Sequence, residues 1–137
     1  MGSTVMEYRS VREGREHFKE MLDSASAGVP TTVRRGDSLF AAVDADRMVG
    51  YLMAVRPAGV DAVAEDGGWS LFMPGLPIAA DGATLDEATD EMVDALRDYA
   101  GAWADHLRHA PNHADNWGLV QIVALATDEQ LRAWIHQ

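Results

Sequence analysis

Hydrophobic residues recur at two different periods along the chain, and these periods predict an alternation of helices and strands. In the segment 11–27 they return every three or four positions, which is typical of one face of a helix. Ser10, with Glu13 three residues later, is the signature of a capping box that begins a helix. The pattern predicts one continuous helix over 11–27, preceded by a short strand over 7–11.

Runs of β-forming residues separated by glycine predict two hairpins. Gly36 and Gly67 each lie in a short polar turn between two such runs, and glycine accepts the positive φ that tight turns need. A further apolar run follows the second hairpin. The predicted strands cover residues 31–34, 38–43, 60–64, 69–73 and 76–80.

A second helix is predicted after the first hairpin. Asp44 or Asp46 can cap its first turn, and Pro57 ends it because proline cannot continue a helix. A small-residue break follows at once. We therefore expect two modules, 1–57 and 58–137.

The second module contains two further predicted helices around one apolar run. Thr84 with Glu87 begins a long helix, and Thr127 with Gln130 begins a short one near the end of the chain. Between them, the segment 118–126 is apolar enough to predict a central strand. One face of the long helix carries Leu85, Ala88, Met92, Leu96, Tyr99 and Trp103.

Composition narrows the class of protein. The chain has 137 residues, 47% of them hydrophobic, which suits a folded globular protein. It has no cysteine, which excludes disulfides, thiolate metal sites and a cysteine nucleophile. No apolar run reaches the roughly 20 residues needed to span a bilayer, and no signal pattern opens the chain. We expect a cytoplasmic protein.

The net charge of −11 is unevenly distributed between the two modules. Residues 1–57 contain eight basic and eight acidic side chains, whereas residues 58–137 contain three basic and fourteen acidic ones. The first module can approach phosphate. The second should repel nucleic acid and attract cations or basic proteins.

The segment "EYRSVREGREHFKEMLDSASAGVPTTVRRGDSLFAAVDAD" resembles the N-terminal module of the Phd/YefM (prevent-host-death) antitoxins. The likeness rests on a strand, a helix with an E-x-R start and an apolar stripe, and a hairpin bearing R-x-G. It implies a module that dimerises and presents basic residues of its first helix to operator DNA. Arg15 matches the helix arginine of that family, with Arg9 and Arg12 nearby.

The segment "GGWSLFMPGLPIAADGATLDEA" resembles the core of the HicB-like antitoxins, with its pattern G-x-W/Y-x-x-x-x-P-x-L-P followed by G-x-T-x-x-E-A. That likeness implies a reduced ribonuclease-H-like order of strand, strand, strand, helix, strand over residues 60–126. A Phd-like module before such a core resembles Phd-like antitoxins of RelE-type systems. The expected fold class is α+β, with a β-α-β-β-α module followed by a β-β-β-α-β-α lobe.

Acidic residues of the long helix lie opposite its apolar face. They could form a two-metal nuclease site, but such ligands normally converge from several elements into a cleft. A solvated face and a face that docks a basic partner are the other interpretations. We take the last as the candidate toxin-binding set, which comprises Asp86, Glu87, Asp90, Glu91, Asp94 and Asp98.

Basic residues near the start of the chain advance by three, three and four positions. That spacing could place them along one helix flank, where they would meet phosphates or base edges. The alternative is a set of intrahelical salt bridges, such as Arg12 with Glu16. The candidate DNA-binding residues are Arg9, Arg12, Arg15 and Lys19.

Three histidines, His106, His109 and His113, follow the acidic helix, and the first two are spaced as ligands on one helix side could be. There is no H-E-x-x-H pattern, and histidines also suit the C-terminus of a helix through its dipole. Ser70 lacks the G-x-S-x-G context of a hydrolase nucleophile. We predict no metal site and no cofactor.

We interpret the chain as an antitoxin of a type II toxin-antitoxin system. Such a protein acts by binding, so we expect no catalytic residues. Its expected partners are a basic RelE-like toxin, operator DNA and a second copy of the chain. The alternative is a metal-dependent nuclease or hydrolase that uses the acidic helix or the histidine cluster. A third possibility is an interaction module that has lost DNA binding. Toxin class, operator sequence and stoichiometry stay open.

Overall fold

The computed structural model describes residues 6–137 and confirms a mixed α and β architecture. The chain forms two compact units, the first ending at Met48 and the second extending from Val49 to Gln137. The division falls within a helix, Ala45–Val55, which begins where Asp44 Oδ1 accepts a 3.0 Å hydrogen bond from the N–H of Arg47. Of the two caps expected for this helix, Asp44 is the one formed.

The first unit is a three-stranded sheet with two short helices. Strand β1 pairs in parallel with β2, and the helices supply the crossover that parallel strands require. Strand β3 returns antiparallel to β2 through a turn in which Gly36 has φ 59°. The elements are β1 Met6–Tyr8, α1 Val11–Glu16, α2 Phe18–Ser26, β2 Thr31–Arg35 and β3 Ser38–Ala42; the helix already described is α3.

The prediction of one helix over 11–27 was wrong, because the helix breaks at His17. This residue has φ −116° and ψ 27°, and its N–H is shared between the carbonyls of Glu13 and Gly14. Its ring stacks on the buried ring of Tyr8, with centroids 5.3 Å apart. The helical spacing of the sequence included His17 in the helix. Its tertiary contact with Tyr8 holds it in a non-helical conformation instead.

The second unit is an antiparallel meander covered by helices. Strand order is β4-β5-β6, and the β4–β5 turn places Asp66 and Gly67 at φ 50° and 77°, as a two-residue hairpin requires. The elements are β4 Asp61–Glu65, β5 Gly68–Phe72, β6 Ala79–Gly82, α4 Leu85–Asp105, α5 Trp117–Leu125 and α6 Asp128–Ile135, with 3-10 turns at Leu107–His109 and Ala114–Asn116.

Strand β6 begins later than the predicted strand over 76–80. The N–H of Met73 donates to the carbonyl of Ile78 at 3.0 Å, so the intervening residues form a turn. Pro77 lies within that turn and has no N–H to contribute to a ladder. The strand consequently starts at Ala79.

The predicted central strand over 118–126 was also wrong, because these residues form most of helix α5. The lobe therefore has the order β-β-β-α-α-α instead of the expected β-β-β-α-β-α. A short apolar run has no clear period, and its Val and Ile content favoured a strand. The burial follows helical spacing, since the buried residues are Leu119, Val120, Ile122, Val123 and Ala126.

Helix α4 organises the core of the second unit. It packs on β5 and β6 and also contacts α5 and α6. Its predicted apolar face is confirmed, because Ala88, Met92, Leu96 and Tyr99 are buried. Trp134 of α6 is 0% exposed and donates its indole N–H to the carbonyl of Arg56 at 3.0 Å. Burial of each such large side chain contributes roughly 1.5–3 kcal/mol.

None of the helices among residues 6–137 combines the length and apolar character needed to cross a membrane.

Two glycines of the second unit predict opposite effects of alanine. A Cβ on Gly82 would lie 2.3 Å from the backbone nitrogen of Ala88, so Gly82→Ala should force α4 away from β6 and cost roughly 1–3 kcal/mol or more. Gly101 is exposed within α4 and has open space, so Gly101→Ala should stabilise by roughly 0.5–1 kcal/mol. Urea unfolding of both variants measures the difference; equal stabilities would contradict the close helix–sheet contact.

Candidate functional site

The candidate DNA-binding residues of the first unit surround the break between two helices. Arg9 precedes α1, Arg12 and Arg15 lie on it, and Lys19 lies on α2. All four are exposed. The prediction that they follow one flank of a single helix was wrong, because α1 ends at Glu16. Lys19 therefore lies on a different helix from Arg12 and Arg15.

Two of these cations form ion pairs with acids on their own helix. Arg12 Nε lies 3.2 Å from Glu16 Oε1, and Lys19 Nζ lies 2.9 Å from Asp23 Oδ2. The hydrogen bond to Asp23 raises the pKa of Lys19 above its ordinary value. Ion pairs between exposed side chains such as these are weak. Arg15 and the guanidinium of Arg9 have no ion pair in the described part of the chain.

The six carboxylates of the candidate toxin-binding set are all exposed on α4. Three of them already have internal partners. Asp86 lies 2.5 Å from Arg132 Nη2, and Asp90 binds the other terminal nitrogen of the same guanidinium. Glu87 accepts a 3.1 Å hydrogen bond from the N–H of Ala83 at the start of the helix. These three carboxylates therefore help to hold α6 against α4 or to cap α4.

The other three carboxylates, Glu91, Asp94 and Asp98, follow one another at steps of three and four residues. That spacing puts them on one stripe of the helix surface. Within residues 6–137 they form no ion pair, and no group of three or more acidic or histidine side chains there is arranged to hold a metal ion. The stripe is a continuous anionic surface.

Arg97 contacts the C-terminal end of α5, a role that the sequence pattern did not indicate. Its guanidinium donates to the carbonyls of Val123 and Ala126, the latter at 2.9 Å, and lies 2.7 Å from Asp128 Oδ1. The last carbonyls of a helix have no partner within that helix, and a cation stabilises them. Arg97 thus joins α4 to the connection between α5 and α6.

The histidines do not come together as the ligands of a metal would. His113 Nδ1 lies 2.8 Å from the hydroxyl of Tyr99, which also accepts a 2.8 Å bond from Asn116. The carbonyl of His113 accepts the indole N–H of Trp103 at 2.8 Å. His106 and His109 are exposed and make no contact with this network. The network ties His113 and the 3-10 turn Ala114–Asn116 to the C-terminal half of α4.

A shallow depression on the β4–β5–β6 sheet is lined by acidic side chains that the sequence analysis did not name as candidate site residues. It encloses about 380 Å³ and is lined in part by Glu65, Asp66, Ser70 and Asp81. The hydroxyl of Ser70 donates to Asp81 at 2.6 Å. One sequence signal could have found this surface, since residues 57–96 contain nine acids and no Lys, Arg or His.

The first unit leaves several large apolar side chains in solvent. Phe18 and Leu22 on α2 and Leu39 and Phe40 on β3 are each about half exposed. Phe40 lies beneath the guanidinium of Arg35, with 5.1 Å from Cζ to the ring centroid. Among residues 6–48, the buried side chains are few: Tyr8, Met21, Ala25 and Thr31.

Comparison with known proteins gives a match in fold. The sequence matches no protein-family profile and no curated protein. The structure is similar to the crystal structure of the antitoxin part of a proposed toxin/antitoxin system from Syntrophomonas wolfei subsp. wolfei. The TM-score is 0.75 over 95% of this chain and 94% of that chain, at 16% sequence identity. A likeness at this identity shows a shared fold.

Two arginines of the second unit should differ in their contribution to stability. Arg97→Met leaves two carbonyls at the end of α5 without their hydrogen-bond donor. It should lower the free energy of unfolding by about 1–3 kcal/mol. Arg132→Met removes only carboxylate contacts at a third-exposed site and should cost less than about 1 kcal/mol. Urea unfolding at low and high salt measures both changes. A larger loss for Arg132→Met would show that its two ion pairs, and not the Arg97 cap, stabilise the helical layer.

Proposed function

We propose that this chain is the antitoxin of a type II toxin-antitoxin system that neutralises a basic RelE-like toxin by direct binding and represses its own operon. The observation that carries the proposal is the likeness in fold to an antitoxin chain over 95% of the length. The mechanism is stoichiometric association without turnover. The Phd/YefM-like segment supports the same assignment. The HicB-like segment supports it through its sequence pattern alone, because the strand that this likeness implied over residues 118–126 is a helix.

The charge of the second unit supports toxin binding. RelE-like toxins act on RNA and are typically basic, as the family resemblance implies. An anionic partner would steer their association and cover the charges that contact RNA. Glu91, Asp94 and Asp98 form the principal toxin-binding stripe, because Asp86 and Asp90 are already bound to Arg132.

The first unit supports operator binding by a homodimer. One copy offers Arg9, Arg12, Arg15 and Lys19, and so neutralises only a few phosphates. Two copies double that footprint and match a palindromic operator. The half-exposed apolar side chains on α2 and β3 provide a surface that a second copy would bury.

Toxin binding is tested with the product of the adjacent reading frame. This protein should arrest growth when expressed alone, and co-expression of the chain should relieve the arrest and yield a complex of fixed stoichiometry. Turnover of a nucleic-acid substrate by the purified chain alone, or failure of the two proteins to associate, would exclude the antitoxin assignment.

Two double variants of α4 then locate the toxin-binding stripe. Glu91→Gln/Asp94→Asn and Asp86→Asn/Asp90→Asn change the net charge equally, so both should slow association through weaker steering. Only the first pair removes charges that touch the toxin, so only it should speed dissociation, by about tenfold or more. Surface plasmon resonance separates the two rates. Equal dissociation rates would place the toxin elsewhere.

Operator binding is tested by gel shift on DNA from upstream of the gene. Arg15→Ala should weaken binding and reduce the salt dependence, by about 0.9 in the log–log slope for each phosphate that is no longer neutralised. Arg108→Ala, an exposed arginine of the second unit, is the matched control. No retarded band with the wild-type chain would indicate an interaction module without DNA binding, and a normal shift with Arg15→Ala would exclude Arg15.

A further inference from the structure

Strand β4 is an uncovered edge of the second sheet. Within the described residues 6–137 it pairs only with β5, while α4 packs on β5 and β6. All of its residues, Asp61–Glu65, are exposed. Both faces of this strand and its outer edge are therefore open to solvent in the described structure.

The outer edge presents main-chain groups that can pair with another strand. The two-residue turn makes Glu65 and Gly68 a hydrogen-bonded pair, and such pairs alternate along an antiparallel ladder. The backbone groups of Ala62 and Ala64 consequently point away from β5. No backbone hydrogen bond reaches them among residues 6–137. An edge of this kind is a template for strand addition.

The charge pattern on β4 opposes pairing with a second copy of itself. In an antiparallel pair centred on Val63, Asp61 of one copy would lie opposite Glu65 of the other, and the reverse. Like charges directly opposite one another destabilise a sheet. Asp66 adds a further negative charge at the adjoining turn.

The same pattern favours a basic strand. Val63 is 40% exposed and shares its sheet face with Asp61 and Glu65, which gives an acid, apolar, acid row at alternate positions. Ser70 and Asp81 continue that face across the sheet. No cationic side chain occurs anywhere in residues 57–96 to neutralise it. A complementary strand would carry basic, apolar and basic residues at alternate positions.

We propose that the β4 edge binds an extended basic segment of the toxin as an added strand. This inference rests on the proposed antitoxin function. The main chain of Ala62 and Ala64 supplies the pairing groups, and Asp61 and Glu65 select positive charge.

A peptide tests the edge without the toxin. The probe is a fluorescein-labelled peptide with lysine, valine and lysine at alternate positions and threonine between them; its control has the same composition with adjacent lysines. Ala64→Pro removes the backbone N–H that points away from β5, and an edge strand tolerates proline at such a position. Ala64→Val keeps this N–H. Ala62→Pro repeats the test should Ala64→Pro not fold, and circular dichroism checks every variant.

Fluorescence anisotropy should show binding to the wild type and to Ala64→Val, and binding to Ala64→Pro that is weaker by about tenfold or more, since a main-chain bond is removed and its partner is left unpaired. Asp61→Asn/Glu65→Gln should also weaken binding. Equal binding by the proline and valine variants, equal binding of the control peptide, or no binding to the wild type would each overturn the inference.

The product of the adjacent reading frame separates this inference from the proposed function. If it binds the wild type and Ala64→Val more tightly than Ala64→Pro, the edge is part of the toxin interface. Equal affinities would place the toxin elsewhere and leave the antitoxin assignment standing. If it binds none of them, the antitoxin assignment fails, and the peptide result alone decides whether β4 accepts a basic strand.

Discussion

The burial of helix α4 on two sides is the contact on which the second unit depends. The sheet approaches one side so closely at Gly82 that a Cβ there would meet the backbone of Ala88. Helices α5 and α6 lie against it as well, and Met92 and Leu96 are fully buried. With its apolar face enclosed, the helix can place carboxylates only on the remaining side. The anionic stripe is therefore a consequence of packing as well as of composition.

Internal ion pairs decide which charges of the second unit face a partner. After Arg56 the chain has three basic residues besides histidine, and two of them, Arg97 and Arg132, bind groups of the same unit. Asp86 and Asp90 are held by Arg132, so the charges available to another molecule lie further along α4 and on the β4–β5 hairpin. Two anionic surfaces on one small unit suit a partner with several cationic regions.

The first unit has a different balance of contacts. Its core is small, and the stacking of His17 on Tyr8 sets the break between its helices. Exposed Phe18, Leu22 and Phe40 add apolar surface near exposed cations that are held only by weak pairs or by none. A unit with few buried side chains gains more from association than one with a complete core. This supports the proposal that it acts as a dimer on DNA.

The amino-acid sequence by itself determined the local features. Helix starts at Ser10, Thr84 and Thr127 and the turns at Gly36 and Gly67 formed where cap and turn residues predicted them. These features depend on hydrogen bonds and φ angles within a few residues. The solvent exposure of the acids on α4 was likewise predictable from helical spacing.

Only the tertiary structure decided the rest. Residues 118–126 carry no clear period, and burial against α4 made most of them a helix. His17 is not helical because its ring stacks on that of Tyr8, nine positions earlier in the chain. Arg132 binds Asp90 and Asp86, two of the six predicted toxin-binding carboxylates, which lie 42 and 46 positions earlier in the chain. Contacts between distant segments lie outside any local pattern, because their energy depends on which surfaces the completed fold brings together.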